Sequence, residues 1–450
     1  MSSTERLVSP FLTAPIGRTL ARLAIPGVAA SVIQASMSVV EAFFVGGLGR
    51  IPLASVALVF PIFMLAGMLS AGAIGGAVSG HTARALGAGN QAKAEMILRL
   101  SILIALAGGG LMATVMFLWG PAIFRFLGGK GEVLVGARAY SDLLFSGIVA
   151  VWLYNMTAAV IRGGGDMMIP TKTMTLVTVL HAGLSAALVM GLGPVEPMGL
   201  RGAALALVLA YGVGALMNLI VLSRPSAPVR LHPGRGIDLA VVPPVLRSGL
   251  TAGLQSVVTI SLALIVTGLV GRLGVSALAG YGIGVRLELL MVPIIFGVGS
   301  GAIAMVGANV GAGQRDRAIA IAWRGALTTA ALVGGIGIVA AILPSLWTDI
   351  LTDDPSVAVT TATYLGIVGP VYGFFGLGLA LYFASQGLDT LVFPVLGTIL
   401  RLLILVGGGA TLLALDMLTE RTLFAVVAIA MTFYGLFIAG ALKLGPWRKE

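Results

Sequence analysis

The chain has 450 residues, of which 58% are hydrophobic, only 10% are charged and none is cysteine, and its mean hydropathy is +1.06. A soluble protein carries about 25% charged residues, so the composition indicates a polytopic membrane protein, and the lack of cysteine excludes disulfide bonds, thiolate metal sites and cysteine catalysis. The net charge of +10 comes mainly from residues between apolar segments, which is typical of membrane topology rather than of nucleic-acid binding.

Long apolar segments recur along the whole chain. Each is about 20 residues or longer, enough to cross a hydrocarbon core of about 30 Å. The alternation of a barrel strand is absent, so all are predicted to be helices. The twelve predicted spans are 23–47, 53–80, 96–119, 139–162, 172–192, 201–223, 248–271, 278–308, 318–344, 360–385, 390–414 and 422–444.

Lys and Arg residues divide unequally between the two sides of the membrane. Eighteen lie in the termini and in the loops on the same side as the termini, whereas seven lie in the opposite loops. The positive-inside rule therefore predicts two cytoplasmic termini, in a bacterial-type inner membrane. The N-terminal segment MSSTERLVSPFLTAPIGRTLAR shows no basic run leading into a short apolar core with a cleavage site, so we expect no signal peptide.

The two halves of the chain repeat each other. VGGLGRIPLA at 45–54 matches VGRLGVSALA at 270–279, LGAGN at 86–90 matches VGAGQ at 310–314, and RGGGDMMIP at 162–170 matches QGLDTLVFP at 386–394. Three matched pieces at nearly one spacing predict an internal repeat, and six spans per half give both halves the same orientation. Repeats of this kind usually place a substrate pathway between the halves.

The domain organisation follows from the repeat. We predict an N-terminal six-helix bundle at 1–223, a cytoplasmic linker at 224–247 rich in Pro and Arg, and a C-terminal six-helix bundle at 248–450. The fold class is an all-α polytopic membrane protein with twelve transmembrane helices in two pseudo-symmetric bundles.

A polar stripe runs along the first span. Ser31, Gln34, Ser38 and Glu41 fall on one side of a helix at 100° per residue. Such a stripe cannot face lipid, so it must face protein or a water-filled cavity. A carboxylate in such a cavity can alternate between a protonated and a charged form, and the competing interpretation is a carboxylate permanently paired with a neighbour.

Several motifs, taken together, resemble one known family. In the first half these are SVVEAFFVGGLGRIPLASVAL, HTARALGAGNQAKA and IRGGGDMMIPT, and in the second half LVGRLGVSALAGYGIGVRLELL, GANVGAGQRDRA and ASQGLDTLVFP. In order and duplicated, they resemble the multidrug and toxic compound extrusion (MATE) transporters, of the DinF-like branch. The resemblance covers nearly the whole chain and implies the MATE/MOP fold, a monomer, and export of small organic compounds from the cell.

The resemblance also implies a role for Glu41. It stands where the family usually has an aspartate linked to cation coupling. The fifth span carries Thr171, Thr178, His181 and Ser185 on one face, and the family often has Asn and Asp where His181 and Ser185 align. Because a Na⁺ site needs several hard oxygens, this departure favours protons, with Glu41 paired to His181. The other interpretation of His181 is a neutral, hydrogen-bonded core residue.

Further residues are predicted to line the cavity or to bend a helix. Gln255 lies on a polar face of the seventh span, and Pro26 is a candidate hinge in the first. Arg286 and Glu288 are too close in sequence to pair on one helix, so each either joins an ion pair near the membrane edge or lines the cavity. Arg401 is predicted to snorkel or to bond backbone carbonyls, and Asp389 to cap a helix. The predicted substrate-cavity residues are Gln34, Met37, Ser38, Asn155, Thr178, Ser185, Gln255 and Glu288.

The leading functional hypothesis is a secondary transporter that exchanges protons for amphiphilic, often cationic, organic compounds by alternating access. Its expected partners are those compounds, protons and membrane lipids, with no cofactor, metal or nucleic acid. Alternatives are Na⁺ coupling, or export of a specific metabolite or of a lipid-linked substrate. Transport of a lipid-linked substrate would need more cationic residues along the cavity than this sequence has. An enzyme is not expected, because Ser300 with His81 or His181 lacks a third catalytic partner.

Overall fold

The computed structural model describes residues 10–191, 196–232, 236 and 238–447. These residues form long helices and no strand, which confirms the predicted all-α fold class. Eleven helices are long and apolar enough to cross a membrane, and a bent helix pair brings the number to twelve. The helices are α1 (Ile16–Gly46), α2 (Arg50–Gly87), α3 (Gln91–Phe126), α4 (Gly131–Ser146 and Ile148–Gly163), α5 (Met168–Met190), α6 (Leu200–Ser223), α7 (Leu239–Gly271), α8 (Val275–Gly311), α9 (Arg315–Ile342), α10 (Pro355–Leu388), α11 (Val392–Ala414) and α12 (Glu420–Leu444).

Some of the predicted bounds differ from the structure. Helix α7 begins at Leu239, ahead of the predicted start of the span at residue 248, and a short helix, Ser345–Leu351, lies between α9 and α10. Arg6, Arg235, Arg448 and Lys449, which belong to the tally of eighteen basic residues, lie outside the described residues, as does part of the segment relevant to a signal peptide.

Helix α4 is bent by 47° at Gly147. A Cβ atom added there would come within 2.1 Å of the Val208 side chain, so the bend lies where α6 packs directly on the backbone of α4. Glycine is a common site of sharp helix bends. The bend divides α4 into a first segment that carries Tyr140 and a second segment that carries Asn155 and Arg162.

The twelve helices form two bundles, α1–α6 and α7–α12. Inside the first, α1 packs on α5 and α5 on α6, while inside the second α9 packs on α10 and α11 on α12. The bundles meet mainly where α1 and α2 contact α7, α8 and α10. The closest approaches lie in the halves of these helices nearer the chain termini, as at Gly27 with Gly297 and at Gly87 with Ala308.

The contacts between the bundles are unevenly distributed along these helices. The part of α2 at Met68–Gly87 packs on α7, α8 and α10, whereas the part at Arg50–Gly67 barely touches the C-terminal bundle. The two bundles are therefore in close contact mainly on the side that carries the termini and make few contacts on the other side. We refer to these as the terminal side and the open side.

The contact between α1 and α8 depends on glycine. A Cβ atom at Gly297 would lie 2.4 Å from the backbone nitrogen of Val28, so Gly297→Ala must push the two bundles apart on the terminal side. We expect a loss of about 1–3 kcal/mol in the free energy of unfolding, as for other overpacked cores. Gly282→Ala in the same helix is the matched control, because nothing lies within 4 Å of its added Cβ. Thermal unfolding of both purified variants tests this, and equal melting temperatures would contradict the expectation.

Candidate functional site

Glu41 lies inside the N-terminal bundle. Its side chain is 6% exposed, and its carboxylate accepts a hydrogen bond from the hydroxyl of Tyr140 on the first segment of α4. No described Lys, Arg or His nitrogen forms an ion pair with it within 4.0 Å. The stripe on α1 thus brings a carboxylate into an apolar bundle with a hydroxyl, and not a fixed cation, as its partner.

Sequence reasoning missed Tyr140. A usable signal was present, since the internal repeat places a second tyrosine, Tyr364, at the equivalent position of the second half. Tyr364 also bonds a glutamate, Glu288, at 3.2 Å. A tyrosine kept in both halves at a position where its hydroxyl is buried needs a polar partner, and an acid is a strong acceptor.

A small cavity of about 30 Å³ lies on the terminal side of Glu41. It is large enough for one or two water molecules. Gln34 and Asn155, both predicted as cavity residues, line it together with Arg162, whose guanidinium lies over the ring of Phe296 at 5.9 Å. The amide of Asn155 donates to Ser70 at 2.8 Å, and Ser70 lies in a π-helical turn of α2, a feature frequent at functional sites.

Glu41 and His181, predicted to act as a pair, are not hydrogen-bonded to each other in the structure. Thr171 donates to the Pro26 carbonyl at 2.8 Å and Thr178 to the Ile33 carbonyl at 3.4 Å, so α1 and α5 run side by side at a constant offset of 145 in residue number. This register places His181 five positions closer to the terminal side than Glu41, an axial distance of about 7.5 Å at about 1.5 Å per residue. Both ring nitrogens of His181 are buried without a hydrogen-bond partner among the described residues.

The remaining predicted cavity residues have different surroundings. Ser185 is near the level of Glu41 and its buried hydroxyl has no partner among the described residues, while Thr178 is half-buried. Met37 is 5% exposed and packs inside the protein rather than facing lipid. Ser38 is exposed and donates a hydrogen bond to the Ala35 carbonyl at 2.8 Å. It therefore does not share the buried surroundings of Glu41. Gln255 is 4% exposed on α7, with its carbonyl oxygen unpartnered among the described residues.

Glu288 is a second acid enclosed by the membrane-spanning helices. Its carboxylate lies 4.0 Å from the guanidinium of Arg401 on α11, and the two side chains are 14% and 13% exposed. The predicted snorkelling of Arg401 is therefore wrong, because Arg401 lies over the rings of Phe375 and Tyr434 at 5.2 and 5.8 Å. Arg286 is exposed, and Glu288 lies about 20 Å from the start of α8 rather than at the membrane edge.

A polar network joins the two bundles on the terminal side. Arg84 of α2 donates to the carbonyls of Gln386 and Gly387 at 3.0 and 2.6 Å and lies 3.6 Å from the carboxylate of Asp389. Ser248 of α7 donates to Asp389 at 2.5 Å and lies 3.2 Å from His81. Asp389 ends α10 in the left-handed conformation, as its predicted capping position suggested, but its carboxylate reaches across to these side chains.

This geometry does not form a catalytic pair. The hydroxyl of Ser300 donates to the Gly297 carbonyl at 3.0 Å, while His81 contacts Ser248 instead. Two membrane-spanning bundles that each enclose a buried acid are an architecture that suits a membrane transporter. The MatE family model matches residues 26–186 and 252–409, so the chain belongs to the MATE family of transporters. The DinF-like branch stays a prediction.

Similar proteins agree with this assignment. A probable multidrug resistance protein NorM of Thermotoga maritima is 24% identical over 396 residues, which cover 86% of this chain and 83% of that protein. An FAD transporter of Shewanella oneidensis is 24% identical over 314 residues, 68% of each chain. The structure of a MOP superfamily transporter from Pyrococcus furiosus, described as having a binding pocket of reverse polarity, superposes with a TM-score of 0.88 at 21% identity and covers 98% of both chains.

The bond between Tyr140 and Glu41 generates a stability prediction. Tyr140→Phe removes the hydroxyl and leaves the buried carboxylate without its donor, so we expect a loss of about 1–3 kcal/mol in the free energy of unfolding. Tyr154→Phe is the matched control, because the Tyr154 hydroxyl makes only long contacts, of 3.3 and 3.5 Å. Denaturation of both variants in detergent measures the difference. A smaller loss for Tyr140→Phe than for Tyr154→Phe would contradict the importance of this bond.

Proposed function

We propose that this protein is a secondary active multidrug efflux transporter that acts as a monomer and exchanges protons for amphiphilic, often cationic, organic compounds. The observation that carries the proposal is Glu41, a buried carboxylate that has a hydroxyl partner and no ion-pair partner among the described residues. Intramembrane acids without a fixed counter-ion are rare and mark ion or substrate pathways. The similarity to proteins named as multidrug transporters supports the same cargo class.

Coupling follows from the charge of one group. When Glu41 is ionised it attracts a cation, and when it is protonated it does not, so a proton and an organic cation compete for the same region of the bundle. Exchange requires that the two ligands favour different states of the transporter. Gln34 and Asn155 offer hydrogen-bonding groups in the neighbouring cavity, which would orient the substrate.

The small number of oxygen atoms near Glu41 on α5 and the distant position of His181 both favour a proton over Na⁺. A proton needs one carboxylate oxygen, whereas Na⁺ needs several oxygens arranged around it. Near the level of Glu41 on α5 the chain offers the single hydroxyl of Ser185. His181 lies too far along α5 to complete such a shell, so our proposal assigns coupling to Glu41 and treats His181 as a neutral core residue.

Alternating access follows from the two bundles. If both termini are cytoplasmic, the open side faces outward, and the residues 1–223 and 248–450 rock against each other about the linker 224–247. The network around Arg84 and Asp389 would then hold the cytoplasmic side closed and must separate for the inward state to form. Pro26 is the proposed hinge in α1, because proline removes one helix hydrogen bond. The Pro26 carbonyl bonds Thr171 of α5, which ties this point of α1 to its own bundle.

A second candidate function is export of a specific anionic metabolite. Arg162 supports it, because a guanidinium beside Gln34 and Asn155 would bind a phosphate or carboxylate group. The Shewanella relative, named as an FAD transporter, is similar over 68% of this chain. Under this alternative, proteoliposomes would carry a flavin nucleotide but not a fluorescent organic cation, and Arg162→Gln would abolish that transport.

The proton-coupling proposal predicts the behaviour of Glu41→Gln. We expect it to bind substrate-sized cations weakly and to lose nearly all efflux driven by an imposed pH gradient, because a glutamine cannot exchange a proton. His181→Leu is the matched control and should retain most of the wild-type rate, since its ring nitrogens have no partner to lose among the described residues. Initial rates of fluorescent-cation transport in proteoliposomes measure both variants.

Two results of this assay would contradict the proposal. One is Glu41→Gln transport at the wild-type rate. The other is transport driven by a sodium gradient when no pH gradient is present, which would show Na⁺ coupling instead. Loss of transport in His181→Leu, with a normal elution profile in size-exclusion chromatography, would show that His181 takes part in coupling.

The terminal-side network predicts a shift of the conformational equilibrium. Asp389→Asn removes the charge that faces Arg84, so we expect the population open on the terminal side to rise about tenfold, as for the loss of about 1.4 kcal/mol from a charge-assisted bond. Ala92→Cys with Gln314→Cys places spin labels on exposed residues of the two bundles in a chain that has no native cysteine. Asp416→Asn is the matched control, because Asp416 also has a positive φ but follows α11 on the open side. Unchanged label distances in Asp389→Asn would contradict this role of the network.

A further inference from the structure

The two bundles hold one acid each against the same tyrosine of the repeat. Tyr140 and Tyr364 occupy equivalent positions of the two halves and donate to Glu41 and Glu288. The acids themselves come from different helices of the repeat, since Glu41 belongs to α1 and Glu288 to α8. The shared element is therefore a buried tyrosine hydroxyl that has an acid beside it in both bundles.

The two acids differ in their counter-ions. Glu41 has no ion pair among the described residues, while Glu288 lies 4.0 Å from the guanidinium of Arg401. One bundle thus leaves its carboxylate available to an exchangeable cation and the other supplies a cation of its own.

Arg401 is held in place independently of Glu288. Its guanidinium lies over Phe375 and Tyr434, and both contacts favour a cation at that point. The other ionisable groups around Glu288 are tyrosines, which are neutral near pH 7. Among the described residues these are Tyr281 of α8 and Tyr364 and Tyr372 of α10, while Tyr434 of α12 lies beside Arg401.

From this difference we infer that Arg401 is a built-in counter-ion for Glu288 and occupies the place that an exchangeable cation would take beside this carboxylate. Glu288 then stays ionised and takes up no exchangeable proton or metal cation, because a fixed positive charge beside a carboxylate favours its charged form. Glu41 is the single exchanging carboxylate of the transporter. This inference rests on the proposed function and specifies how many coupling sites it has.

The test counts protonated buried carboxyl groups. Infrared spectra of the purified protein in lipid nanodiscs, recorded across a pH series, show a C=O band for each buried carboxylic acid that titrates. Glu95 is also buried and lies 3.5 Å from His232, so it is replaced by glutamine in every protein compared. In that background we expect one such band, absent from Glu41→Gln and unchanged in Glu288→Gln. Arg401→Met should add a second band, and that band should be absent from the double variant Arg401→Met/Glu288→Gln.

Arg401→Lys separates charge from shape. It keeps the positive charge and should show the single band of that background, whereas a merely structural role of Arg401 would make it resemble Arg401→Met. If Arg401→Met cannot be purified, Glu288→Gln in the same background carries the test alone. An unchanged band then supports the inference, and a lost band overturns it.

The outcomes distinguish this inference from the proposed function. Absence of a second band in Arg401→Met, or loss of the single band in Glu288→Gln, overturns the role of Arg401. If instead the single band persists in Glu41→Gln while the Arg401 variants behave as expected, the coupling role of Glu41 fails and the role of Arg401 stands.

Discussion

The burial of the Glu41 carboxylate is the constraint on which the N-terminal bundle depends. An ionised carboxylate without hydrogen bonds is costly in a low-dielectric interior. The hydroxyl of Tyr140 supplies a hydrogen bond to this carboxylate, and Tyr140 lies on the segment of α4 that precedes the bend at Gly147. The segment before the bend meets Glu41, and the segment after it carries Asn155 and Arg162 to the cavity beside Gln34.

The two halves of the internal repeat share backbone features and some side chains but differ at residues that form polar contacts. Tyr140 and Tyr364 keep their place in both halves, but the links across the terminal side have no counterpart among the described residues. Asp389 occupies the position of Gly165 in the first half, and both residues have a positive φ, 61° and 93°. Glycine adopts that conformation freely, whereas an aspartate adopts it less readily. The less favourable residue stands where its carboxylate can contact Arg84 and Ser248 of other helices.

The sequence predicted the fold well because its signals were long and repeated. Apolar length gave the helices, and matched glycine-rich turns gave the two bundles. The position of Glu41 inside the protein also followed from the periodicity of α1. The hydrogen-bond partner of Glu41 did not follow from the sequence. Helical spacing places His181 on one face of α5, but it carries no information about the axial register of α5 against α1. That register is set by contacts such as Thr171 with Pro26, between residues far apart in the chain. Arg401 was misassigned for the same reason, since its partner Glu288 is distant in the sequence and lies on another helix.

The form of the contact between the bundles bears on how they could move. Near the termini, backbone meets backbone at Gly27 and Gly297, so little side-chain interlocking has to be undone when the helices separate. Several of the directional links there carry charge, because Arg84 bonds two carbonyls at the end of α10 and faces Asp389. Groups of this kind regain hydration when they part, which offsets much of the loss of their bonds. Glycine packing and charged links of this kind suit the reversible separation of the bundles that the proposed alternating access requires.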